Sequence, residues 1–538
     1  MGNLLGKEKI KTPMTIPSDT VIPLHFYDDT PVNRSVIVEF TMRFDDVLDA
    51  DKLRTSLEKL LSRRDWRKLG ARLRLNSNGK LEYHVPEAFS ENRPAFAYSH
   101  STHDVGIASH PLASRLPRPT AKPTVLDDPS EFGPLLRRWG APQTILDYLT
   151  TDAPQLSLHI VSFTDATIVT LSWPHTLLDA IGRKELLAAW TATLEGREDD
   201  VKPLHGVYRD PLESLGANPK EPYVLAHRHL SPVQSLLFVL SYIWATIFWW
   251  GGEETRMVCV PARHANILFE SARDDLSAPA AQCANDDKKL RPFISEGDIL
   301  SGWITRLALV HLRHVDQTVS IMNAFGLRSA LAKDLLPPTS AYVGNAVGSV
   351  YAFLSMRDLF AQPLGYTAAV VRRSISEQGT RDQVEAHAAI ERAALRQGRA
   401  PVFGNTKMTP VMISNWSKAK FFETDFSAAL VARPGSASDG DNNNNGGGDD
   451  DATTPRPPEY RPGRPTYIQP NGLVNRQLPT RNSFPIVGKD AAGNYWFSGT
   501  LQHGLWGQVQ EALDAEYRYF SQHDENVRRL QAEKAKGF

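Results

Sequence analysis

LSWPHTLLDAIGRKELLAAW, residues 171–190, changes character at a single histidine. Ala166 to Trp173 is apolar and β-branched, the pattern of a buried strand. Beyond it Leu177, Leu178, Ile181, Leu186, Leu187 and Trp190 recur at helical spacing. His175 therefore stands at a strand-to-helix junction, with Pro174 just before it breaking the strand ladder and Asp179 four positions after it. A junction of this kind can grip an imidazole from both sides while one ring nitrogen faces a cavity. Taken alone, His-x-x-x-Asp reads more economically as a core or capping histidine, because short motifs recur by chance. The rest of the chain has to decide.

The totals exclude several classes. At 538 residues the chain calls for two larger domains. Its 41% hydrophobic, 22% charged and 9% aromatic content is that of a globular protein. A formal net charge of -1 gives no electrostatic case for nucleic acid. The two cysteines, Cys259 and Cys283, make neither a disulfide framework nor a zinc-like cluster and fit a reducing, cytoplasmic setting. The first residues, MGNLLGKEKIKTP, lack the apolar run of a secretory signal. Gly2 begins a myristoylation pattern that Gly6 breaks, so Lys7, Lys9 and Lys11 read as a solvated arm.

Ser35 to Phe44 alternates as a half-buried strand, and Asp49 to Leu61 puts Leu53, Leu57, Leu60 and Leu61 on one helix face, with Asp51 near the N-cap. GARLRLNSNGKLEYHVP reads as two short strands across Asn76–Gly79. Glu87 to Pro134 is Pro-, Ser- and His-rich and reads as loops. His100, His103 and Asp104 lack further ligand neighbours, so no metal site is predicted. Leu156 to Phe163 is a strand, turning at Thr164–Ala166 into the one that delivers His175.

Further on, RMVCVP (256–261) reads as a strand and Ile267 to Ala272 as helix. Ser295 caps a helix whose apolar face carries Ile299, Leu300, Trp303, Ile304, Leu307 and Val310. Val319 to Phe325 is a strand leading into GLRSALAKDLLPPTSAYVGNAV (326–347), and VMISNW (411–416) is another. Arg433 to Pro465 is low-complexity, with GDNNNNGGGDDD, and reads as a disordered insertion. NSFPIVGKDAAGNYWFSGTL (482–501) is a hairpin turning at Ala492–Asn494, and Trp506 to Phe520 is a closing helix.

Taken in order, the LRTSLEKLLSRRDWRKLGARLRLNSNGKLEYHVP segment, HTLLD, the Arg328 and YVGN stretch, ISNW and DF resemble the BAHD acyltransferases, particularly their fungal relatives. That resemblance implies a two-lobed chloramphenicol acetyltransferase-like α/β fold, each lobe a mixed sheet flanked by helices, with the active site in a channel between lobes. The lobes are expected at 1–217 and 256–538, joined by a connector at 218–255, with the insertion 433–465 inside the second.

The resemblance also implies chemistry. No cofactor is held permanently and acyl-CoA is the co-substrate. The acyl group passes to a hydroxyl or amine of a small molecule, in a monomer, within a fungal specialised-metabolite pathway. His175 carries over as general base and Asp179 as the residue fixing its loop through Arg328. Tyr342, Gly344 and Asn345 would line the channel, Ser414 and Trp416 would touch substrate or the developing oxyanion, and Asp425 and Phe426 would support the fold. Two departures stand out: Ala180 occupies the place of a family glycine, and Thr424-Asp425-Phe426-Ser427 keeps just two residues of D-F-G-W-G. The rivals are a carrier-protein-dependent condensation-type enzyme, which usually has a second histidine where Pro174 stands, and a non-catalytic membrane-associated binding protein.

From Leu230 to Gly252 no charged residue occurs, and the stretch is about long enough to cross a bilayer as a helix. A crossing would put His175 and the segments beyond residue 300 on opposite sides of the membrane, so a shared site excludes it. The helix either packs on the protein or makes monotopic contact with an intracellular membrane through 230–252, its Tyr and Trp rings suiting the interface.

Overall fold

The computed structural model describes residues 12–248, 252–276, 293–431, 460–474 and 481–536. The lysine arm, Gly2, Cys283 and residues 433–459 of the expected insertion lie outside them. Among the described residues the strands form three sheets. One has five strands in the order Tyr467–Val474, Val36–Phe44, Thr167–Pro174, Ser157–Ser162 and Ala97–Thr102; its last pair is parallel and the rest antiparallel. A second has seven, in the order Val347–Ser355, Thr318–Gly326, Thr409–Asn415, Ser483–Lys489, Tyr495–Gln502, Glu253–Val260 and Thr124–Val125; the two junctions at Thr409–Asn415 are parallel. A three-stranded sheet of Thr20–Pro23, Leu81–Val85 and Arg72–Leu75 completes the first lobe. This is the expected architecture of mixed sheets flanked by helices.

Burial follows the sequence pattern. Val347–Ser355 alternates, with Gly348, Val350, Ala352 and Leu354 buried, whereas Thr167–Pro174 is covered on both faces. The helices Ala50–Ser62 and Ala180–Leu194 pack together, and the Trp190 indole links them by donating to Leu53 O (3.2 Å) and Ser56 Oγ (2.9 Å). The helix Glu296–Ala308 starts at a capping box of Ser295 and Asp298 and runs almost wholly buried through the second core.

Several expectations shift. The N-cap of Ala50–Ser62 is Asp49, two residues before Asp51, because its carboxylate reaches Lys52 N at 2.9 Å. The segment read as loops supplies two strands, Ala97–Thr102 and Thr124–Val125; each is short and polar-flanked and pairs with a strand distant in sequence. Two segments also cross the division expected between 217 and 256. Thr124–Val125 joins the second lobe's sheet, and Tyr467–Val474 joins the first lobe's along its whole length opposite Val36–Arg43. Tyr460–Pro465, expected to be disordered, is built in: Gly463, at φ +76°, donates to Asp46 Oδ2 and accepts from Phe426 N, and its α-carbon lies so close to Ser427 that a side chain would collide.

Candidate active site

His175 leaves its strand in register. Pro174 sits opposite Ile37, and the next amide, His175 N, donates to Val36 O at 2.9 Å. The ladder is therefore not broken: pairing with Ser157–Ser162 has already ended at Ser172, so proline's missing N–H costs no bond.

The loop from 175 to 179 is then held almost residue by residue. His175 O accepts from Asn345 Nδ2 at 2.9 Å, Thr176 O from the Tyr83 hydroxyl at 2.6 Å, and Leu178 O from Trp173 Nε1 at 3.1 Å. Asp179 caps the helix Ala180–Leu194 by accepting from Gly182 N at 2.7 Å. Its second oxygen accepts from Ala346 N at 2.9 Å, and Arg328 grips both oxygens at 2.8 and 2.9 Å. The same guanidinium donates to Tyr342 O and Gly344 O, so one arginine fixes the histidine loop and the YVGN segment together.

Tyr342, Gly344 and Asn345 were expected to line a channel, but they are buried behind this loop. Asn345 donates from N (2.7 Å) and Nδ2 (2.9 Å) to Asp28, a carboxylate with no solvent exposure. Around it lie His25, whose Nδ1 is 3.4 Å from the Tyr342 hydroxyl, and buried Lys68. Burial pushes the Asp28 carboxyl up to about 6, the His25 imidazole down to about 3 and the Lys68 ammonium down, with Asp28 and Lys68 opposing burial for one another. Sequence pattern gave no sign of this cluster: HFYDDT (25–30) has no periodicity, and Lys68 follows a run of basic residues that reads as solvated.

The His175 ring is half-buried. Its Nδ1 is enclosed without a hydrogen-bond partner among the described residues. Burial lowers its pKa, opposed by its own backbone and by Asp179, which favours the neutral imidazole. Ser414 and Trp416 end the strand Thr409–Asn415, and the Trp416 indole N–H donates to Ser414 Oγ at 2.9 Å. The indole is thus already committed, contrary to its expected use as an oxyanion donor, while the Ser414 hydrogen stays available. Phe426 is fully buried against Phe44 and Trp190, and Asp425 accepts from Ser427 N and pairs with Arg464.

The glycine displaced by Ala180 has a counterpart two residues on: a Cβ on Gly182 would lie 1.9 Å from Val343 O, so this helix touches the YVGN backbone where only hydrogen fits. Among the described residues no three His, Cys, Asp or Glu are placed to hold a metal; His100 bonds Ser162 Oγ and His103 stacks on Phe163.

Mixed sheets in two lobes with a tethered histidine loop between them are the architecture expected of the acyltransferase class. A family model described as "Transferase family" matches residues 264–437. Over 93% of this chain and 97% of its own length, "Acetyltransferase adrJ" of Penicillium roqueforti is 38% identical. "Transcriptional regulator calD" of Penicillium decumbens is 43% identical over 96% of this chain and 99% of its own. The solved structure of F. sporotrichioides TRI101 with coenzyme A and T-2 superposes with a TM-score of 0.60 at 14% identity, covering 93% of this chain and 98% of that one. The chain belongs to the BAHD-like family of acyl-CoA-dependent acyltransferases, whose relatives here include fungal acetyltransferases.

Proposed function

We propose that this chain moves an acetyl group from acetyl-CoA to a hydroxyl or amine of a small specialised metabolite, with His175 as general base. The observation that carries the proposal is the His175 loop, tethered residue by residue by Asn345, Tyr83, Trp173 and the Asp179–Arg328 pair, with the ring half-buried at its head. The acceptor's O–H or N–H gives its proton to Nε2 as the heteroatom attacks the thioester carbonyl carbon; the tetrahedral oxyanion accepts a hydrogen bond from the Ser414 hydroxyl, which keeps its proton. Collapse breaks the C–S bond, the imidazolium proton passes to the departing thiolate, and an ester or amide and free CoA result. Asp179, Arg328, Asn345 and Asp28 hold the base without touching substrate. Every one of these groups comes from one chain, which suits a monomer with a channel between lobes and the division 1–217, 218–255 and 256–538 apart from its exchanged strands.

The acetyl donor is drawn from the name of adrJ. The name of calD favours a non-catalytic binding role instead, although a net charge of -1 gives this chain no general attraction to DNA. Acetyl-CoA at about 100 times its Kd should stabilise the protein by about 2.7 kcal/mol. His175→Ala should keep that stabilisation and lose nearly all transfer. A folded His175→Ala protein with substantial turnover sinks the mechanism, and failure of any acyl-CoA to stabilise the wild type favours the binding role.

The helix Pro232–Phe248 supports peripheral contact with an intracellular, cytoplasm-facing membrane. No helix among the described residues is long and apolar enough to cross one. Up to Trp244, Ser235, Phe238 and Tyr242 are half-buried and Ser241 donates to Thr406 O, while Val233, Leu236, Leu237, Val239, Leu240, Ile243 and Trp244 are exposed. An apolar face that large is costly in water and suited to lying in a lipid interface.

A further inference from the structure

Among the described residues Arg183, on the first turn after Asp179, is a cation without a counter-ion of its own. Its side chain is 2% exposed, and Nε and Nη2 are buried without a hydrogen-bond partner. Aromatic faces replace one: its Cζ lies 3.9 Å from the Phe40 ring centre, 4.2 Å from Phe421, 4.7 Å from Trp416 and 5.7 Å from Trp173. Burial lowers the guanidinium to about 9, which still leaves it charged at neutral pH. The carboxylate whose charge bears on it, Asp179, is already held by both arms of Arg328. A desolvated, uncompensated charge of this kind is expensive for the fold, and its field is poorly screened.

That field has a defined exit. Arg183 rests on the Trp416 indole, whose N–H donates to Ser414 Oγ. A cation on the ring face draws electron density from the indole and strengthens its N–H as a donor; the bond into Oγ in turn polarises the serine's own O–H. We propose that Arg183 is a positioning residue for acyl transfer, a caged cation that strengthens the Ser414 hydrogen bond to the oxyanion through Trp416. The inference rests on the acyl-transfer reading with His175 as base. The charge has a second effect that makes it measurable. The charged groups bearing on the His175 ring are Asp179, which favours the imidazolium, and Arg183, which opposes it; Arg328 is paired with Asp179, and Asn345 is neutral.

The test compares kcat, KM, the pH profile of kcat/KM and the melting temperature for Arg183→Met, Trp416→Phe, Ser414→Ala and the Arg183→Met/Ser414→Ala pair. Arg183→Met should melt at or above the wild-type temperature, since an unpaired buried charge has gone. It should keep the acetyl-CoA KM within about twofold, lose kcat by roughly tenfold or more, and shift the acid limb to higher pH. Trp416→Phe keeps a ring under the cation but removes the N–H, and should lose kcat to a similar degree; this arm stands even if Arg183→Met fails to fold. In the Ser414→Ala background the Arg183 effect should shrink to within about threefold. Wild-type kcat and pH profile in folded Arg183→Met, full kcat in Trp416→Phe, or an undiminished loss without Ser414 each overturn the relay. A companion His175→Ala enzyme that still turns over strikes the underlying mechanism; a dead one beside a normal Arg183→Met strikes this inference alone.

Discussion

Removing both Asp179 and Arg328 should cost less stability than the two single losses added together, and should not restore activity. Asp179 has 2% of its side chain exposed and accepts from two guanidinium nitrogens and two backbone amides at 2.7–2.9 Å; Arg328, 17% exposed, also holds two carbonyls. Asp179→Ala strands a mostly buried guanidinium and leaves Gly182 N and Ala346 N unpaired. Breaking one side of such a pair costs about 3–5 kcal/mol, a large part of the roughly 5–15 kcal/mol that holds a folded protein. Arg328→Met alone leaves the carboxylate two amides but removes its counter-charge. In the double variant no charge is stranded, so its cost should fall below the sum of the singles by about 2 kcal/mol. Transfer should stay low in all three, because the pair sets the path of the loop between His175 and Gly182. Urea unfolding followed by tryptophan fluorescence gives the stabilities, and acetyl transfer the activities. Single costs that add within about 0.5 kcal/mol would refute the coupling. A double variant recovering both stability and turnover would refute the positioning role.

Two further outcomes follow from buried and exposed groups. The Asp28 carboxyl is raised from its unfolded value near 3.8 to about 6 in the folded protein, so its contribution to stability is fully present below the lower value and is lost as pH rises through the higher one. Asp28→Asn should remove that decline while Oδ1 still accepts from Asn345, giving a stability that falls less between pH 4 and pH 7 by up to about 3 kcal/mol; parallel pH curves for wild type and variant in denaturant titrations would contradict it. Replacing Leu236, Leu240 and Trp244 together by serine removes exposed side chains each worth about 1.5–3 kcal/mol when fully buried in an apolar phase. In vesicle flotation with phosphatidylcholine the wild type should rise with the lipid and the triple variant should not, with equal transfer to a soluble acceptor; equal flotation would remove the membrane role.

The strand-to-helix junction at His175 was legible because it follows from local pattern: a continuous apolar, β-branched run, then helical spacing; that Asp179 caps the helix appeared with the structure. The Arg328 partner was accessible through motif resemblance, since no local rule links residues so far apart. What stayed hidden depends on tertiary neighbours. Asp28 looks like any acid in a polar turn until Asn345 and Lys68 close over it, and Arg183 occupies a helix position that reads as solvent-facing until Phe421 and Trp416 cover it. The attention drawn by Ala180 was displaced by two residues: that side chain is half-exposed at the helix start, and the close backbone approach belongs to Gly182.

The exchanged strands explain why the site could be built from such distant parts. Tyr467–Val474 completes the sheet that delivers His175, Phe421 and Phe426 fill the core beneath that sheet, and Thr124–Val125 extends the opposite one. Neither lobe therefore has a complete core without the other, so loosening between lobes exposes apolar surface as well as breaking polar bonds. The tethers on the histidine loop come from both sides of that junction: Tyr83 and Trp173 from the first lobe, Arg328 and Asn345 from the second. A histidine loop held in this way keeps its geometry as long as the lobes stay packed. Caging an unpaired arginine beside that loop is tolerable for the same reason. The cost of the buried charge is spread over a core that cannot come apart one lobe at a time.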